Sequence, residues 1–483
     1  MLSPDTSKER GVLPFRKVLK GNDTEILLPR SLYMKPVSYF TSMLLMTVSV
    51  SAGPFRIDIV DEENGWPVPL VELRTTHNVR FVSDNAGTIA VDLPELMNRE
   101  TWFTIEGHGY GIAEDRFGFK GVRLTPVPDG KDTVKVKRQL PAKRLGRITG
   151  AGIFGESQRL GLETDWKEQG VFGCDSVQNV VHKGKLFWAW GDTKIAKYPL
   201  GLFHMSGAST MPRPLTSLKP PVRLQLDYFT DEKNQPRNIA KLPGEGPTWL
   251  NGFASLPDKD GEMRMVASYV KVKGFLQVYE YGLCVWNEET ENFEKHLGLW
   301  NQSKDGGKPP SASNGHPARW TDKDGKEWLL FGDPFPHLRC EPTFESWENP
   351  ETREALDPQK SVPTRGSSDE IKPHRGSIAW NDYRKKWVTI FTQQDGEPSS
   401  LGEIWYAEAP APSGPWGNAV KVVTHANYTF YNPKIHPGFT NPGSPVLLFE
   451  GTYTKSFSTN QQATPRYDYN QVLYRLDLDE LAP

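Results

Sequence analysis

The chain has 483 residues, of which 37% are hydrophobic and 24% are charged, and its formal net charge is −2. This length predicts two or three domains, and the composition is typical of a globular protein. The near-neutral net charge gives no electrostatic case for nucleic acid or an acidic polymer as the main partner, although a local basic groove would be invisible in this sum. The 43 Gly, 40 Pro, 15 Trp, 16 Tyr and 23 Phe residues favour a β-rich chain with many turns.

Residues 34–52 have the pattern of a secretory signal peptide. Met34 and Lys35 precede an apolar run over residues 39–50, and small residues at Ser51 and Ala52 form a cleavage site. The run is too short to anchor the chain stably in a bilayer. We therefore expect a secreted or periplasmic protein with no membrane span after cleavage, and residues 1–33 as a mis-assigned extension. The alternative is a buried hydrophobic strand.

Residues 54–141 predict an N-terminal antiparallel β-sandwich, because several short strands alternate with turns such as Asp84–Gly87. The order D-x-x-x-G-x-P-V-P-x-V-x-L from Asp61, followed by F-V-S-D-N-A-G from Phe81, is similar to the carboxypeptidase-regulatory or transthyretin-like sandwich. That resemblance implies an accessory module. His108 is interpreted as a loop or core histidine, and no chemistry is assigned to this unit.

Residues 142–160 form a basic, glycine-containing connector, after which one stretch combines two acids with a predicted hairpin. Asp175 precedes an apolar run over residues 177–181, a turn follows at residues 182–185, and an aromatic strand over residues 186–190 leads to Asp192. A hairpin folds the chain back on itself, so its two ends come close together. Two neighbouring carboxylates are the basic apparatus of glycosidic-bond hydrolysis.

Residues 161–483 contain a loose internal repeat in which a polar opening is followed by a strand, a turn and an aromatic strand. The five openings lie at Gly173, Gly246, Gly315, His374 and Tyr428. Five units of four-stranded size predict a five-bladed β-propeller, and the chain as a whole is expected to be all-β. Polar residues at the openings would then converge on one central funnel.

The segments G-C-D-S at Gly173 and G-K-L-F-W-A-W-G-D-T from Gly184 resemble a group of five-bladed propellers that includes endo-acting D-arabinanases. The strand over Glu403–Ala409 and the segments around Tyr431–Pro433 and Tyr467–Asn470 are similar to that group as well. The resemblance implies a glycoside hydrolase in which Asp175 and Asp192 are the catalytic pair.

Glycosidic cleavage requires one protonated carboxyl and one ionised carboxylate. Besides Asp175 and Asp192, Glu245 is a candidate catalytic acid, and Asp333 is a reserve candidate. Asp192 and Asp333 both follow a glycine at the end of a predicted strand, so the alternative is that each only forms part of a turn. Candidate substrate-binding residues come from the other openings, where their alternative role is to tie neighbouring blades together. They are His316, His374, Arg375, Asn432 and His436. Arg375 would be the natural clamp for an acidic sugar.

The three cysteines, Cys174, Cys284 and Cys340, have no metal-ligand spacing and are interpreted as buried thiols, with at most one disulfide. No metal site and no cofactor are predicted, and a calcium ion in the propeller channel is left open. The sequence thus predicts a monomer that hydrolyses a polysaccharide or oligosaccharide. Two alternatives remain: a polysaccharide lyase using His, Tyr or Arg, and a non-catalytic carbohydrate-binding or interaction propeller.

Overall fold

The computed structural model describes residues 53–481, and the predicted extension (1–33) and signal peptide (34–52) lie outside that range. The described chain is nearly all β, with few and short helices. It contains no helix with the length and apolar character needed to cross a bilayer.

Two four-stranded sheets are formed by the first eight strands. The strands are β1 (Phe55–Asp61), β2 (Glu72–Thr75), β3 (Arg80–Val82), β4 (Thr88–Val91), β5 (Thr101–Glu106), β6 (Tyr110–Gly111), β7 (Gly121–Leu124) and β8 (Lys131–Arg138). One sheet has the order β4-β1-β8-β6 and the other β3-β2-β5-β7. The alternating burial of β1 places Phe55, Ile57 and Ile59 in an apolar core that both sheets share.

The first sheet differs from the antiparallel prediction, because β1 and β8 run parallel from Arg56↔Lys131 to Asp61↔Val136. The chain between β1 and β8 passes through the other sheet before it returns. A parallel pair requires such a long connection, because a short hairpin turn can join only antiparallel strands. The prediction of a purely antiparallel unit was wrong at this pair, and the sheet is mixed.

The remaining strands build the C-terminal part of the chain. They are β9 (Lys143–Arg147), β10 (Val171–Cys174), β11 (Gln178–His182), β12 (Lys185–Trp190), β13 (Thr193–Ile195), β14 (Tyr198–Leu202), β15 (Ser206–Thr210), β16 (Asp227–Tyr228), β17 (Thr248–Pro257), β18 (Met263–Lys273), β19 (Gln277–Asn287), β20 (Asn292–Asn301), β21 (Ala318–Thr321), β22 (Glu327–Gly332), β23 (Pro336–Cys340), β24 (Glu354–Ala355), β25 (Val362–Pro363), β26 (Glu370–Ile371), β27 (Pro373–Asn381), β28 (Lys386–Gln393), β29 (Glu403–Ala409), β30 (Gly417–Thr424), β31 (Thr429–Ile435), β32 (Val446–Thr454) and β33 (Asn470–Asp477). The helices of the described range are α1 (Gly155–Arg159), α2 (Gln302–Asp305), α3 (Phe344–Glu348) and 3₁₀ turns at Pro350–Thr352, Pro437–Phe439 and Leu478–Glu480.

Five four-stranded antiparallel sheets follow one another along this part of the chain. Their strand orders are β11-β12-β15-β16, β17-β18-β19-β20, β21-β22-β23-β24, β27-β28-β29-β30 and β31-β32-β33-β9. We call them sheets one to five. Each begins with the strand that the sequence places at a polar opening, and apolar clusters bury the faces between neighbouring sheets.

Strand β9 completes sheet five from the N-terminal side, with Arg147 opposite Val472 and Lys143 opposite Arg475. Residues 142–160, predicted as a connector, therefore contain a sheet strand and helix α1. Lys143 and Asp477 also form a buried ion pair at 2.6 Å. Pairing of the first and last strands of this part holds its two ends together.

The N-terminal sheets pack against sheet five through a buried arginine. The Arg144 guanidinium is 1% exposed and donates hydrogen bonds to the carbonyl oxygens of Pro69 at 2.9 Å, His108 at 3.1 Å and Gly107 at 3.4 Å. His108 is bonded to the Tyr453 hydroxyl at 2.7 Å, and burial lowers its pKa to about 3. His108 is thus a neutral interface residue.

Candidate active site

Asp175 and Asp192 lie where sheet one meets a small three-stranded sheet of order β10-β13-β14. Asp175 links β10 to β11, and Asp192 links β12 to β13. The hairpin between them is present, with Gln178 opposite Ala189, and the Gly191 amide donates to the Asp175 carbonyl at 2.7 Å. Both aspartates are half-buried, so both are within reach of solvent and ligand.

The Asp175 carboxyl accepts a hydrogen bond from the Tyr431 hydroxyl at 2.5 Å, and the Tyr469 phenol faces the same group. Burial raises the pKa of Asp175 to about 7; the tyrosine hydrogen bonds oppose this shift, and the charge of Asp192 adds to it. Near neutral pH Asp175 is therefore a carboxyl that can either hold or release a proton.

Asp192 differs from Asp175 in its hydrogen bonding and in how far its pKa is raised. Its Oδ1 accepts a hydrogen bond from the Trp249 indole nitrogen at 3.1 Å, and burial raises its pKa from the ordinary value. Because two adjacent carboxylates do not ionise at equal cost, the pair divides into a more acidic and a less acidic member. Asp175 is the less acidic one.

Three residues around Asp175 have left-handed backbone conformations although none is glycine. The φ angles are 53° at Ser176, 51° at Asn432 and 66° at Tyr469. This conformation is unfavourable for a bulky side chain such as Tyr469, and strain of this kind concentrates at functional sites. Asn432 and Ser176 are joined by a hydrogen bond of 2.7 Å between side chains, which helps to hold both conformations.

Gly191 allows the Asp175 carboxyl to approach the backbone of the hairpin. A Cβ at this position would lie 2.2 Å from Asp175 Oδ1, so any other residue must displace the carboxyl. We expect Gly191→Ala to lower kcat/KM by about 100-fold with both aspartates retained, since a displacement of about 1 Å costs that much. Initial rates on the substrate measure this, with Gly417→Ala as the control, because a Cβ at Gly417 meets no atom within 4 Å. Unchanged activity of Gly191→Ala would contradict the placement of Asp175.

Arg375 and Asn432, both predicted to bind substrate, lie next to this pair. Arg375 Nη1 donates to Asn432 Oδ1 at 3.5 Å and lies 3.6 Å from the Asp333 carboxylate. Asp333 accepts the Gly376 amide at 2.9 Å, and burial raises its pKa. The reserve candidate Asp333 is thus held by sheet four, and it is connected to Ser176 through Arg375 and Asn432.

His436 belongs to a buried polar cluster beside the aspartates. It bonds to Glu450 at 2.8 Å through Nε2 and to the Asn179 amide at 3.3 Å through Nδ1. Lys434, opposite Glu450 in sheet five, has its pKa lowered to about 8 by burial. The predicted residue His316 is buried nearby, and burial together with the charge of Lys434 holds its pKa well below the ordinary value.

Glu245 and His374 have fewer contacts with the aspartates. Glu245 is exposed on the loop before β17, and its backbone carbonyl accepts the Tyr279 hydroxyl at 2.8 Å. His374 is half-buried at the start of β27, and burial lowers its pKa. Neither side chain is bonded to Asp175 or Asp192 in the described structure.

Within residues 53–481, no group of three or more His, Cys, Asp or Glu side chains has the geometry to hold a metal ion. The three cysteines are free and buried in this range. Burial raises the pKa of Cys174, which adjoins Asp175, well above its ordinary value. The side chains around the pair supply carboxyl, phenol, imidazole and guanidinium groups.

Two contact residues of the pair, Tyr469 and Trp249, were not among the predicted site residues. Trp249 follows the second polar opening, so its position was visible in the repeat. Tyr469 lies in the segment Tyr467–Asn470, which was noted only as part of the resemblance. Its contact depends on a left-handed backbone that no local sequence signal announces.

No family model matches this sequence, and no curated protein does. Solved structures with similarity include an exo-1,5-α-L-arabinanase from a bovine ruminal metagenomic library, with 12% identity, a TM-score of 0.35 and coverage of 64% of this chain and 95% of that one. An exo-β-1,3-galactanase from Phanerochaete chrysosporium has 10% identity, a TM-score of 0.36 and coverage of 66% and 64%. An endo-1,5-α-L-arabinanase from Thermotoga petrophila RKU-1 has 11% identity, a TM-score of 0.34 and coverage of 63% and 71%.

Proposed function

We propose that this protein is a glycoside hydrolase in which Asp175 and Asp192 act as a carboxyl pair on a polysaccharide or oligosaccharide. The observation that carries the proposal is the pair itself: two half-buried carboxyls on one hairpin, with the pKa of Asp175 raised to about 7. Such a pair supplies the acid and the base that cleavage of an acetal requires.

In the proposed mechanism, protonated Asp175 donates its proton to the glycosidic oxygen as the bond to the anomeric carbon breaks. Ionised Asp192 either removes a proton from the attacking water or itself attacks the anomeric carbon. Trp249 donates a hydrogen bond to one carboxylate oxygen of Asp192, and the other oxygen makes no hydrogen bond within the described chain. Tyr431 orients the Asp175 carboxyl through its short hydrogen bond.

The remaining roles follow from the positions of the side chains. Arg375 and Asn432 adjoin Ser176 and are proposed to bind sugar hydroxyls or an acidic substituent. His316 and His436 are proposed to bind substrate from the cluster with Glu450, and His374 from the start of β27. Glu245, exposed on the loop before β17, is proposed as a further acid.

We also propose that sheets one to five are the blades of a five-bladed β-propeller, and that the two N-terminal sheets form an accessory sandwich. Consecutive strand order in sheets two, three and four, and completion of sheet five by β9, support the propeller. The shared core of the two N-terminal sheets supports the sandwich. Secretion or periplasmic export and a monomeric state are proposed on the signal-peptide pattern and composition alone.

The alternative of a polysaccharide lyase requires a base that abstracts a proton next to a uronate carboxyl. Tyr431 donates a hydrogen bond to Asp175, and burial together with the Asp175 charge holds the pKa of Tyr431 well above the ordinary value. A phenol that stays protonated is a poor base. The tyrosine therefore favours the hydrolase over the lyase.

The test is incubation of the full chain with a panel of plant, algal and bacterial-wall polysaccharides. Reducing ends and ultraviolet absorbance are followed together. A hydrolase releases reducing ends without new absorbance, whereas a lyase product absorbs because it contains a double bond. Polymer binding without either product would favour the non-catalytic propeller and overturn the proposal.

Removal of the Tyr431 hydroxyl is expected to move the alkaline limb of the pH profile to higher pH. The hydrogen bond to Asp175 favours the ionised carboxylate and so lowers its pKa. A bond to a charged group contributes about 1.5–3 kcal/mol, and one pKa unit corresponds to about 1.4 kcal/mol. In Tyr431→Phe the limb should therefore rise by about 1–2 pH units from its parent position.

The profile of kcat/KM against pH measures this shift. Tyr228→Phe is the matched control, because its buried hydroxyl has no hydrogen-bond partner among the described residues. The control should keep the parent limb. A limb that moves to lower pH in Tyr431→Phe, or does not move, would contradict the role of Asp175 as the acid.

A further inference from the structure

A cavity of about 770 Å³ lies between sheets two, three and four, apart from the aspartate pair. Val270, Val278 and Tyr281 of sheet two form one wall, and Phe335 of sheet three forms another. The volume is within the range of about 300–1,000 Å³ that is usual for ligand sites, and apolar walls with a few polar groups are typical of them.

The cavity is connected to the aspartate pair through a chain of contacts. Asp333 lines the cavity, and its carboxylate lies 3.6 Å from Arg375. Arg375 contacts Asn432, and Asn432 in turn is bonded to Ser176, the residue after Asp175. The exposed Arg375 therefore lies between the residues beside Asp175 and the wall of the cavity.

The walls of the cavity are stiff before any ligand binds. Five lining prolines have fixed φ angles, namely Pro309, Pro310, Pro334, Pro358 and Pro373. Gln359 joins the wall to sheet four, because its amide accepts from Trp416 N and donates to Trp416 O, both at 2.8 Å. A preformed site loses little entropy when it binds a chain-like ligand.

The charges on the cavity favour an anionic ligand. Lys360 and Lys372 line it and are exposed, and within residues 53–481 neither ammonium group forms an ion pair or a hydrogen bond. The one lining carboxylate, Asp333, is already engaged by Arg375 and the Gly376 amide. The buried amide oxygen of Asn314 has no hydrogen-bond partner among the described residues and would accept a hydrogen bond from a ligand hydroxyl.

We propose that this cavity binds an anionic segment of the glycan, next to the sugar that reacts, through Lys360, Lys372 and Asn314. The proposal rests on the hydrolase function and names its substrate class as a glycan that carries carboxylate or sulfate groups. Ion pairs between the two lysines and the carboxylate or sulfate groups give specificity for an anionic glycan. Tyr281 and Phe335 supply apolar surface for the sugar rings.

Calorimetry with the full chain carrying Asp175→Asn tests this without turnover. The probes are oligogalacturonates, alginate fragments and carrageenan fragments, compared with neutral galacto-oligosaccharides of equal length. The carboxylated and the sulfated probes distinguish the two sources of charge. We expect at least one anionic probe to bind, and Lys360→Ala/Lys372→Ala to weaken it at least about tenfold, as loss of charge-assisted contacts does.

The matched control is Lys185→Ala/Lys323→Ala, which removes the same charge from two exposed turn positions outside the cavity. It should change affinity less than about twofold, because exposed charges beyond a Debye length are screened. Ser311→Trp, at the cavity mouth, should remove binding by steric closure. The proposal would be overturned by any of three results. These are an equal loss of affinity in the two double-lysine variants, binding that survives Ser311→Trp, and no preference for any anionic probe over the neutral one.

Failure of this proposal and failure of the hydrolase function give different results. If the parent cleaves a glycan while the lysine variants bind and cleave like the parent, only the cavity proposal fails. If anionic probes bind through the lysines but the parent cleaves no polymer, the hydrolase function fails and the cavity remains a glycan-binding site.

Discussion

Replacement of Asp175 by asparagine is expected to lower kcat/KM on a natural glycan by about 10³-fold, within the range of 10²–10⁴ for loss of general acid–base catalysis. Asparagine retains the shape of the side chain and can still accept the Tyr431 hydrogen bond. It has no proton to give to a leaving oxygen at neutral pH. The loss should therefore appear in kcat, with KM and folding close to the parent.

The assignment of acid and base can be separated by the choice of leaving group. An aryl glycoside with an acidic phenol departs without protonation, so Asp175→Asn should recover most of its activity on that substrate. Asp192→Asn should remain inactive on both substrates, because the water or the anomeric carbon still lacks its base or nucleophile. Initial rates on the two substrate types measure the difference.

Asp227→Asn is the matched control for both variants, because Asp227 is exposed on the outer strand β16 of the same sheet. It should keep full activity on both substrates. Full activity of Asp175→Asn on the natural glycan would show that Asp175 is not the acid. Recovery of Asp192→Asn on the aryl substrate would show that Asp192, not Asp175, is the acid.

Arg144→Ala is expected to destabilise the protein by about 3–5 kcal/mol, because it leaves several buried carbonyl oxygens without a donor. Arg144 bonds to the carbonyls of Pro69, Gly107 and His108 and to the Tyr474 hydroxyl, and it lies over the ring of Tyr110 at 5.1 Å. These contacts join the N-terminal sheets to sheet five. The variant should therefore weaken the attachment of the two parts.

Urea unfolding followed by tryptophan fluorescence measures this loss. Arg144→Lys should be intermediate, since an ammonium keeps the charge but cannot span the same set of acceptors. Arg213→Ala, at an exposed position, should stay within about 0.5 kcal/mol of the parent. Equal stability of Arg144→Ala and the parent would show that this interface does not depend on the arginine.

The hairpin of sheet one was readable from the sequence because its signals are local. The aromatic strand over residues 186–190 buries Trp188 and Trp190, whose rings stack at 5.9 Å. The turn has positive φ at both Lys183 (45°) and Gly184 (78°), the geometry of a tight two-residue turn. With strand and turn both determined locally, the proximity of Asp175 and Asp192 followed.

Strand β9 shows where local reasoning ends. Residues 143–147 are basic and contain a glycine, which favoured a connector. Their pairing with β33 joins Arg147 to Val472 across most of the chain, and no local pattern encodes a partner so distant. The parallel pairing of β1 and β8 was missed for the same reason, since direction depends on the path of the intervening strands.

The closeness of Asp175 and Asp192 was predictable from the sequence, but the residues that surround them were not. Polar openings of the repeat pointed to Arg375, Asn432 and His436, which the structure brings near the aspartates. The contact of Tyr469 with Asp175 depends on the left-handed backbone of Tyr469. The close approach of the Asp175 carboxyl to Gly191 depends on how neighbouring sheets pack together. Such features arise from tertiary packing, which a single sequence does not display.

The proposed mechanism requires that burial and the neighbouring charge of Asp192 raise the pKa of Asp175 to about 7. The most direct measurement is a pH titration of the ¹³C-labelled aspartate carboxyl groups, comparing the parent with Asp175→Asn. We expect one carboxyl that titrates with a pKa of about 7 in the parent and is absent in the variant. Titration of every aspartate below about pH 5, close to ordinary values, would contradict it.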